Sequence, residues 1–191
     1  MPKPVLTSQL QAKAIMRNMH KNLANLNLDD LKKCVPEQLQ TQSVSAVLLA
    51  LGSNYQAETH LPRVREKLAV LGEIQLSMAF QNPDFTATPE LPKPDYTNQC
   101  VYLTLTSAMT LQQLQQTFKQ FESDCGRQRS SESIKNPIKI VTMDIDILLI
   151  KLDDKQNSLS KKWIIMADRY PFKAHERAGI EELVLNSYSK G

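Results

Sequence analysis

The stretch that decides the fold is Val141-Thr142-Met143-Asp144-Ile145-Asp146-Ile147-Leu148-Leu149. Its β-branched residues and its alternation predict a strand that buries the methionine and isoleucine side chains on one face. The period of two places Asp144 and Asp146 together on the opposite face. Two adjacent carboxylates on a rigid strand repel each other unless a cation lies between them. The pair indicates either a site for a hard divalent cation such as Mg²⁺ or an edge strand whose solvent face carries two aspartates.

The elements around this strand predict the class of fold. Ser45–Leu51 is a continuous apolar run of central-strand type, and an amphipathic helix over 60–71 follows it. Strands are predicted over 74–85 and 96–105, before a second helix that Thr110 caps. The order strand, helix, strand, strand, helix, strand is typical of a ferredoxin-like α+β sandwich, with helices on one face of an antiparallel sheet. The remaining predicted elements are a strand at Trp163–Met166 and a helix over 175–185.

The N-terminal part of the chain differs in character from the rest. Residues 1–43 are interpreted as a helical extension of a domain that spans 44–191. An amphipathic helix is predicted over 8–26, followed by a short second helix that ends at Val35-Pro36. The apolar stripe of the first helix either docks on the chain's own domain or forms a face that binds a protein partner. That stripe includes Ile15, Met19 and Leu23.

Composition and charge exclude several classes of protein. With 41% hydrophobic and 23% charged residues, the chain can bury an ordinary core and is not disordered overall. The net charge of +3 comes without a polybasic run, so neither a nucleic-acid nor a membrane partner is expected. No apolar segment approaches the roughly 20 residues of a membrane helix. The three widely spaced cysteines fit buried thiols in a reducing compartment, so a cytoplasmic location is expected.

Any nucleotide site in this chain must depend on arginines and metal ions. The five glycines form neither a Walker pattern nor a dinucleotide fingerprint, which excludes a glycine-rich phosphate loop. Arg127 and Arg129 follow the predicted end of the second helix, and each guanidinium group can match two phosphate oxygens at once. The alternative is that both arginines are merely solvated. Their proximity in the same sheet to the carboxylate strand favours the phosphate-binding interpretation.

Taken in order, these sequence segments and motifs resemble those of the 6-hydroxymethyl-7,8-dihydropterin pyrophosphokinase family of the folate pathway. The resemblance covers about residues 45–185, and the Gly-Ser-Asn at 52–54 and the Asp-x-Asp strand contribute most to it. The other matching residues are Leu48 to Leu51, Thr88-x-Glu90 with Pro89 between them, Asp95-Tyr96-x-Asn98, Glu122, Gly126-Arg127-x-Arg129 and His175-Glu176-Arg177.

The resemblance implies a transferase, a kinase that moves pyrophosphate from ATP to the hydroxymethyl group of a reduced pterin with two Mg²⁺ ions. It implies that Asp144 and Asp146 hold both ions, and that Arg127 and Arg129 lie over the phosphates. It further implies that Glu122 and Arg177 contact the nucleotide, and that the pterin is bound by Thr88, Pro89, Tyr96 and Asn98. Without the resemblance, these six are ordinary loop, strand-edge and helix residues.

Several residues depart from the family pattern. Val141 stands where the family has an arginine that moves onto the phosphates, and Tyr170-Pro171-Phe172-Lys173 replaces its Pro-His. Gly179 falls where the family prefers an aromatic residue. Lys135 or Lys139 is a candidate to replace the arginine that is absent at position 141, although a lysine does not reproduce the bidentate fork. The substitutions predict a compromised phosphate site. The alternative is a non-catalytic pterin- or nucleotide-binding paralogue whose segment 8–26 binds another protein.

Overall fold

The computed structural model of the chain describes residue 23 and residues 26–84, 87–128, 140–153 and 163–188. The strands in this part of the chain are β1 (Lys32–Cys34), β2 (Ser43–Ser53), β3 (Gly72–Asn82), β4 (Tyr96–Thr110), β5 (Asp144–Leu152) and β6 (Trp163–Met166). The α-helices with described bounds are α1 (Ala57–Leu71), α2 (Leu111–Asp124) and α3 (Ala174–Tyr188). None of the described helices is both long and apolar enough to cross a membrane.

The strands form one sheet in the order β1-β6-β5-β2-β4-β3. The units β2-α1-β3 and β4-α2-β5 interleave so that β2, β3, β4 and β5 pair in antiparallel fashion, as in a ferredoxin-like sandwich. The short β1 is the exception, because it pairs in parallel with β6. The predicted α+β class and ferredoxin-like arrangement are confirmed.

The sheet buries apolar side chains on both faces. Leu49 of β2 belongs to a cluster that includes Leu68 of α1 and Phe118 of α2. Its neighbour Leu48 belongs to a second cluster on the other face, which includes Ile180 of α3. This two-sided burial explains why β2 is continuously apolar rather than alternating. The predicted one-sided arrangement holds for α1 and α2, whereas α3 covers the opposite face.

The prediction of a second helix in the N-terminal extension is wrong. Lys32–Cys34 forms β1, flanked by 3₁₀ turns at Leu28–Asp30 and Pro36–Gln38. A strand is favoured there because the edge of β6 offers backbone hydrogen-bond partners, and because Cys34 becomes buried in the core. The boundary between residues 43 and 44 stays a prediction.

The predicted amphipathic helix over 8–26 lies mostly outside the described residues. Its Leu23 is fully buried in the cluster on the α3 face, and Leu26 packs against the same cluster. Ile15 and Met19 are not described. The contact at Leu23 agrees with the interpretation in which the stripe docks on the chain's own domain.

Deleting residues 1–42 should therefore destabilise the protein. The deletion removes Leu23, strand β1 and the buried Leu39. Each fully buried apolar side chain contributes about 1.5–3 kcal/mol, and a loss of 1 kcal/mol lowers the melting temperature of a chain this size by about 2–4 °C. We expect differential scanning calorimetry to show a fall of at least about 5 °C. Deleting only residues 1–7 is the control, and an unchanged melting curve for the longer deletion would contradict the docked arrangement.

Gly179 lets α3 approach the sheet closely. A Cβ atom at this position would lie 2.6 Å from Sγ of Cys100 and 2.8 Å from its Cβ. The sulfur can rotate away, but the Cβ of Cys100 is fixed to β4. An aromatic side chain has no room there, so the close contact between α3 and β4 requires a glycine at this position.

Replacing Gly179 by alanine should lower the free energy of unfolding. Alanine normally favours a helix over glycine by about 0.8–1.0 kcal/mol, but overpacking a core costs about 1–3 kcal/mol. We expect a net loss of about 1–2 kcal/mol in urea unfolding. Glu181→Ala, an exposed change in the same helix, should stay within about 0.5 kcal/mol of wild type. A Gly179→Ala variant more stable than wild type would show that α3 can move away from β4.

Candidate active site

A cavity of about 420 Å³ opens where the ends of β2, β4 and β5 meet, on the face that α3 covers. Gly52 of β2 pairs with Asn98 on one side and with Asp144 on the other, which brings side chains of three strands together. A Cβ at Gly52 would lie 3.0 Å from Oδ1 of Asn98, so the glycine leaves room for that amide. The cavity brings together five of the predicted site residues: Tyr96, Asn98, Arg127, Asp144 and Asp146.

The two aspartates lie on the predicted face of β5. Ile145 and Ile147 point into the core under α1 and α2, and Asp144 and Asp146 alternate with them towards the cavity. The alternation is interrupted only beyond the site, by an irregularity in the pairing next to Leu148. The local period of the strand therefore places both carboxylates in the cavity.

Each aspartate has an arginine beside it. Nη2 of Arg127 lies 3.9 Å from Oδ1 of Asp144, and the Arg127 side chain is only 8% exposed. Nη2 of Arg169 donates to Oδ2 of Asp146 at 2.5 Å and lies 3.3 Å from Oε1 of Glu176. The cavity therefore combines a carboxylate pair with the guanidinium group of Arg127, and Arg169 pairs with Asp146 beside it.

Burial raises the pKa of Asp146 to about 6. The negative charges of Asp144 and Glu176 contribute to this rise, whereas Arg169 and Lys173 oppose it. The protein thus holds a carboxylate whose ionised form is unfavourable without additional positive charge. A divalent cation would supply that charge.

The pKa of Asp146 predicts a specific dependence of stability on pH in the absence of divalent cations. An acid with a raised pKa binds its proton more tightly in the folded state, so its contribution to stability falls as pH rises from about 4 to about 6. Above pH 6 the ionised group costs on the order of 3 kcal/mol. The free energy of unfolding of Asp146→Asn, relative to that of wild type, should therefore be higher at pH 8 than at pH 4.

Urea unfolding with a chelator present checks this prediction. Asp29→Asn is the control for replacing an aspartate elsewhere, because Asp29 is exposed and does not line the cavity. An Asp146→Asn difference that is equal at pH 4 and pH 8 would contradict the raised pKa.

The carboxylate pair fits a magnesium ion in chemical terms. Mg²⁺ uses one or two protein carboxylates and completes its shell with water and phosphate oxygens. Among the described residues, no group of three or more His, Cys, Asp or Glu side chains converges as a site made of protein ligands alone. Asp144 and Asp146 therefore offer the type of site in which part of the coordination shell comes from a substrate.

The other predicted site residues lie outside the cavity or outside the described residues. Glu122 is 2% exposed, and its Oε1 accepts a hydrogen bond from the backbone N–H of Ile145 at 2.8 Å, so it holds β5 between the two aspartates. Arg177 is exposed on α3, and Thr88 and Pro89 are exposed in a turn. Arg129, like Lys135 and Lys139, lies outside the described residues. The roles implied for Glu122, Arg177, Thr88, Pro89 and Arg129 stay predictions.

The Gly-Ser-Asn segment fixes the chain that enters β5. Oδ1 of Asn54 accepts from the backbone N–H of Val141 at 2.6 Å, and the N–H of Asn54 donates to the carbonyl of Val141 at 3.0 Å. The hydroxyl of Ser53 donates to the same carbonyl at 3.3 Å. Val141 therefore has a fixed backbone ahead of Asp144, and it lines the cavity.

Sequence reasoning missed several charged residues at the cavity. Lys173 and Glu176 line it from the start of α3, where Glu176 accepts a hydrogen bond from the backbone N–H of Lys173 at 2.8 Å. Asp84 and Lys93 line it from the segments next to β3 and β4. Arg169 carried no sequence signal, because it stands alone in the segment after β6 and belongs to no motif. Glu176 could have been found from the His-Glu-Arg match.

The ferredoxin-like domain opens at one end of its sheet into a cavity of mixed charge, which is of a size that suits a small-molecule ligand. The model of the 7,8-dihydro-6-hydroxymethylpterin-pyrophosphokinase (HPPK) family matches residues 48–172. The chain belongs to this family, whose members are kinases, and therefore transferases, of folate synthesis. No curated protein matches the chain.

Proposed function

We propose that this protein is a Mg²⁺- and ATP-dependent enzyme that transfers pyrophosphate to 6-hydroxymethyl-7,8-dihydropterin, with a weakened phosphate site. The observation that carries the proposal is the convergence of Asp144 and Asp146 with Tyr96 and Asn98 in one cavity. The carboxylates suit a cation bound to phosphate, and the aromatic ring and the amide suit a planar, polar heterocycle. Membership of the pterin pyrophosphokinase family supports the same assignment.

The pterin end of the cavity would be formed by β4. The Asn98 amide can both donate and accept hydrogen bonds, which matches the edge of a pterin ring. Burial raises the pKa of Tyr96, and the negative charge of Asp84 raises it further, so the phenol stays protonated at neutral pH. Tyr96 therefore offers an apolar ring face and a hydroxyl donor to the heterocycle.

The phosphate end of the cavity would be formed by β5 and the residues that flank it. Asp144 and Asp146 would hold Mg²⁺, which neutralises charge on the phosphate oxygens during transfer. Among the described residues, Arg127 is the one arginine that lines the cavity, and Lys93 and Lys173 are the lysines that do so. Such a site works chiefly by aligning the pterin hydroxyl with the β-phosphorus and by electrostatic stabilisation. Because Val141 provides no guanidinium group, we expect slow turnover.

Following AMP release from ATP in the presence of 6-hydroxymethyl-7,8-dihydropterin tests the proposal. We expect AMP and pyrophosphorylated pterin to form together, in a reaction that a chelator stops. Omitting the pterin is the control for ATP hydrolysis. If no AMP forms while the pterin and Mg²⁺-ATP still bind, the protein is a non-catalytic member of the family and the proposed activity is wrong.

A further inference from the structure

Arg169 forms an ion pair with Asp146, one of the two carboxylates that the proposed function assigns to a cation. It ends the 3₁₀ turn Ala167–Arg169 that follows β6, and its side chain is 25% exposed. Its Nη2 donates to Oδ2 of Asp146 at 2.5 Å and to Oε1 of Glu176 at 3.3 Å. Glu176 is 2% exposed at the start of α3, so it cannot move far from this position. Arg169 is thus placed between a carboxylate that lines the cavity and a second, fixed one.

A divalent cation and Arg169 compete for Asp146. Both need oxygen atoms of the same carboxylate, and two positive groups at one carboxylate repel each other. If Arg169 leaves Asp146, it still has Glu176 as an anionic partner. Its Nε has no hydrogen-bond partner among the described residues, so the guanidinium group retains unused donor capacity.

We propose that Arg169 is the internal counter-ion of Asp146 and that it exchanges this carboxylate for the substrate's phosphate when a divalent cation binds. The proposal deepens the proposed function and rests on it. A Mg²⁺ ion held by Asp146 would complete its shell with phosphate oxygens, which would bring the phosphate close to the carboxylate that Arg169 contacts. Arg169 therefore needs only a small movement, and it supplies the bidentate group that Val141 lacks.

Titration calorimetry with Mg²⁺ alone tests the first half of the proposal. Arg169→Gln removes the competing charge, so the variant should bind Mg²⁺ about threefold to fivefold more tightly than wild type, as expected for loss of one partly exposed ion pair. Arg63→Gln is the matched control, because Arg63 is exposed on α1, which packs on the opposite face of the sheet. Its Mg²⁺ affinity should equal that of wild type. Equal affinity in Arg169→Gln and wild type would overturn the proposal.

Titration with Mg²⁺ and α,β-methylene-ATP tests the second half. This analogue cannot be cleaved at the α–β bridge, so binding is measured without turnover. Arg169→Gln should bind the Mg²⁺-analogue complex more weakly than wild type, although it binds Mg²⁺ alone more tightly. If the variant binds the complex more tightly as well, Arg169 does not reach the phosphate and the proposal is overturned.

A measurement on the wild-type protein tests the proposal even if the Arg169→Gln variant does not fold. The side-chain Nε–H resonance of Arg169, assigned by its absence from Arg169→Lys, should shift as Mg²⁺ is added. A resonance that does not move while Mg²⁺ binds would overturn the exchange. These binding experiments are independent of the AMP assay, so an inactive protein can still support the role of Arg169, and an active one can still contradict it.

Discussion

Asp146→Asn should abolish most of the AMP release from ATP, by a factor on the order of a thousand or more, and Asp144→Asn should do the same. Both side chains line the cavity from β5, where their oxygens are the carboxylate pair that fits Mg²⁺. Asparagine has nearly the same shape but no charge, so it cannot neutralise the ion. The loss should appear together with a fall in affinity for Mg²⁺-nucleotide in titration calorimetry.

Two comparisons separate loss of the ion from loss of the fold. Asp29→Asn removes an exposed carboxylate and should keep wild-type turnover. Asp146→Asn should be inactive, yet without divalent cations its stability relative to wild type should be more favourable at pH 8 than at pH 4, because it lacks the ionised carboxyl. If wild type and a folded Asp144→Asn variant bind Mg²⁺-nucleotide with equal affinity, Asp144 does not bind the metal ion.

Val141→Arg should raise turnover by about tenfold to a hundredfold, because one well-placed cationic donor contributes on the order of 3 kcal/mol to a transition state. Alternation from Asp144 would place residue 141 on the core face, but β5 begins only at Asp144 and Val141 lines the cavity. Asn54 and Ser53 hold the backbone of residue 141. A longer side chain at residue 141 would therefore start from a fixed backbone at the wall of the cavity.

The neutral and lysine variants test the reason for this gain. Val141→Gln adds length without charge and should not raise turnover, and Val141→Lys should give a smaller gain than arginine because it lacks the bidentate fork. If folded Val141→Arg leaves turnover unchanged, the missing arginine is not what limits the enzyme. If wild type already matches a family member that has the arginine, the interpretation of a compromised site is wrong.

The sequence predicted the fold where the signal is local. The cap at Thr110 is present as a capping box with Gln113, because a hydroxyl three residues ahead of a helical N–H satisfies it without help from the rest of the chain. The failed second helix shows the opposite case. Residues Lys32–Cys34 have no strong preference of their own, and the free edge of β6 determined that they form a strand.

The sequence by itself placed Asp144 and Asp146 on one face of β5, since the period of a strand depends only on its own backbone. Tertiary structure determined which charged side chains lie next to the two aspartates. Arg169 reaches Asp146 across 23 residues of sequence, and Glu122 is buried beneath Ile145 rather than solvated. Those contacts depend on how β6, α2 and α3 pack against the sheet. No spacing along the chain encodes that packing, because it is set by the burial of apolar side chains distributed over the whole domain.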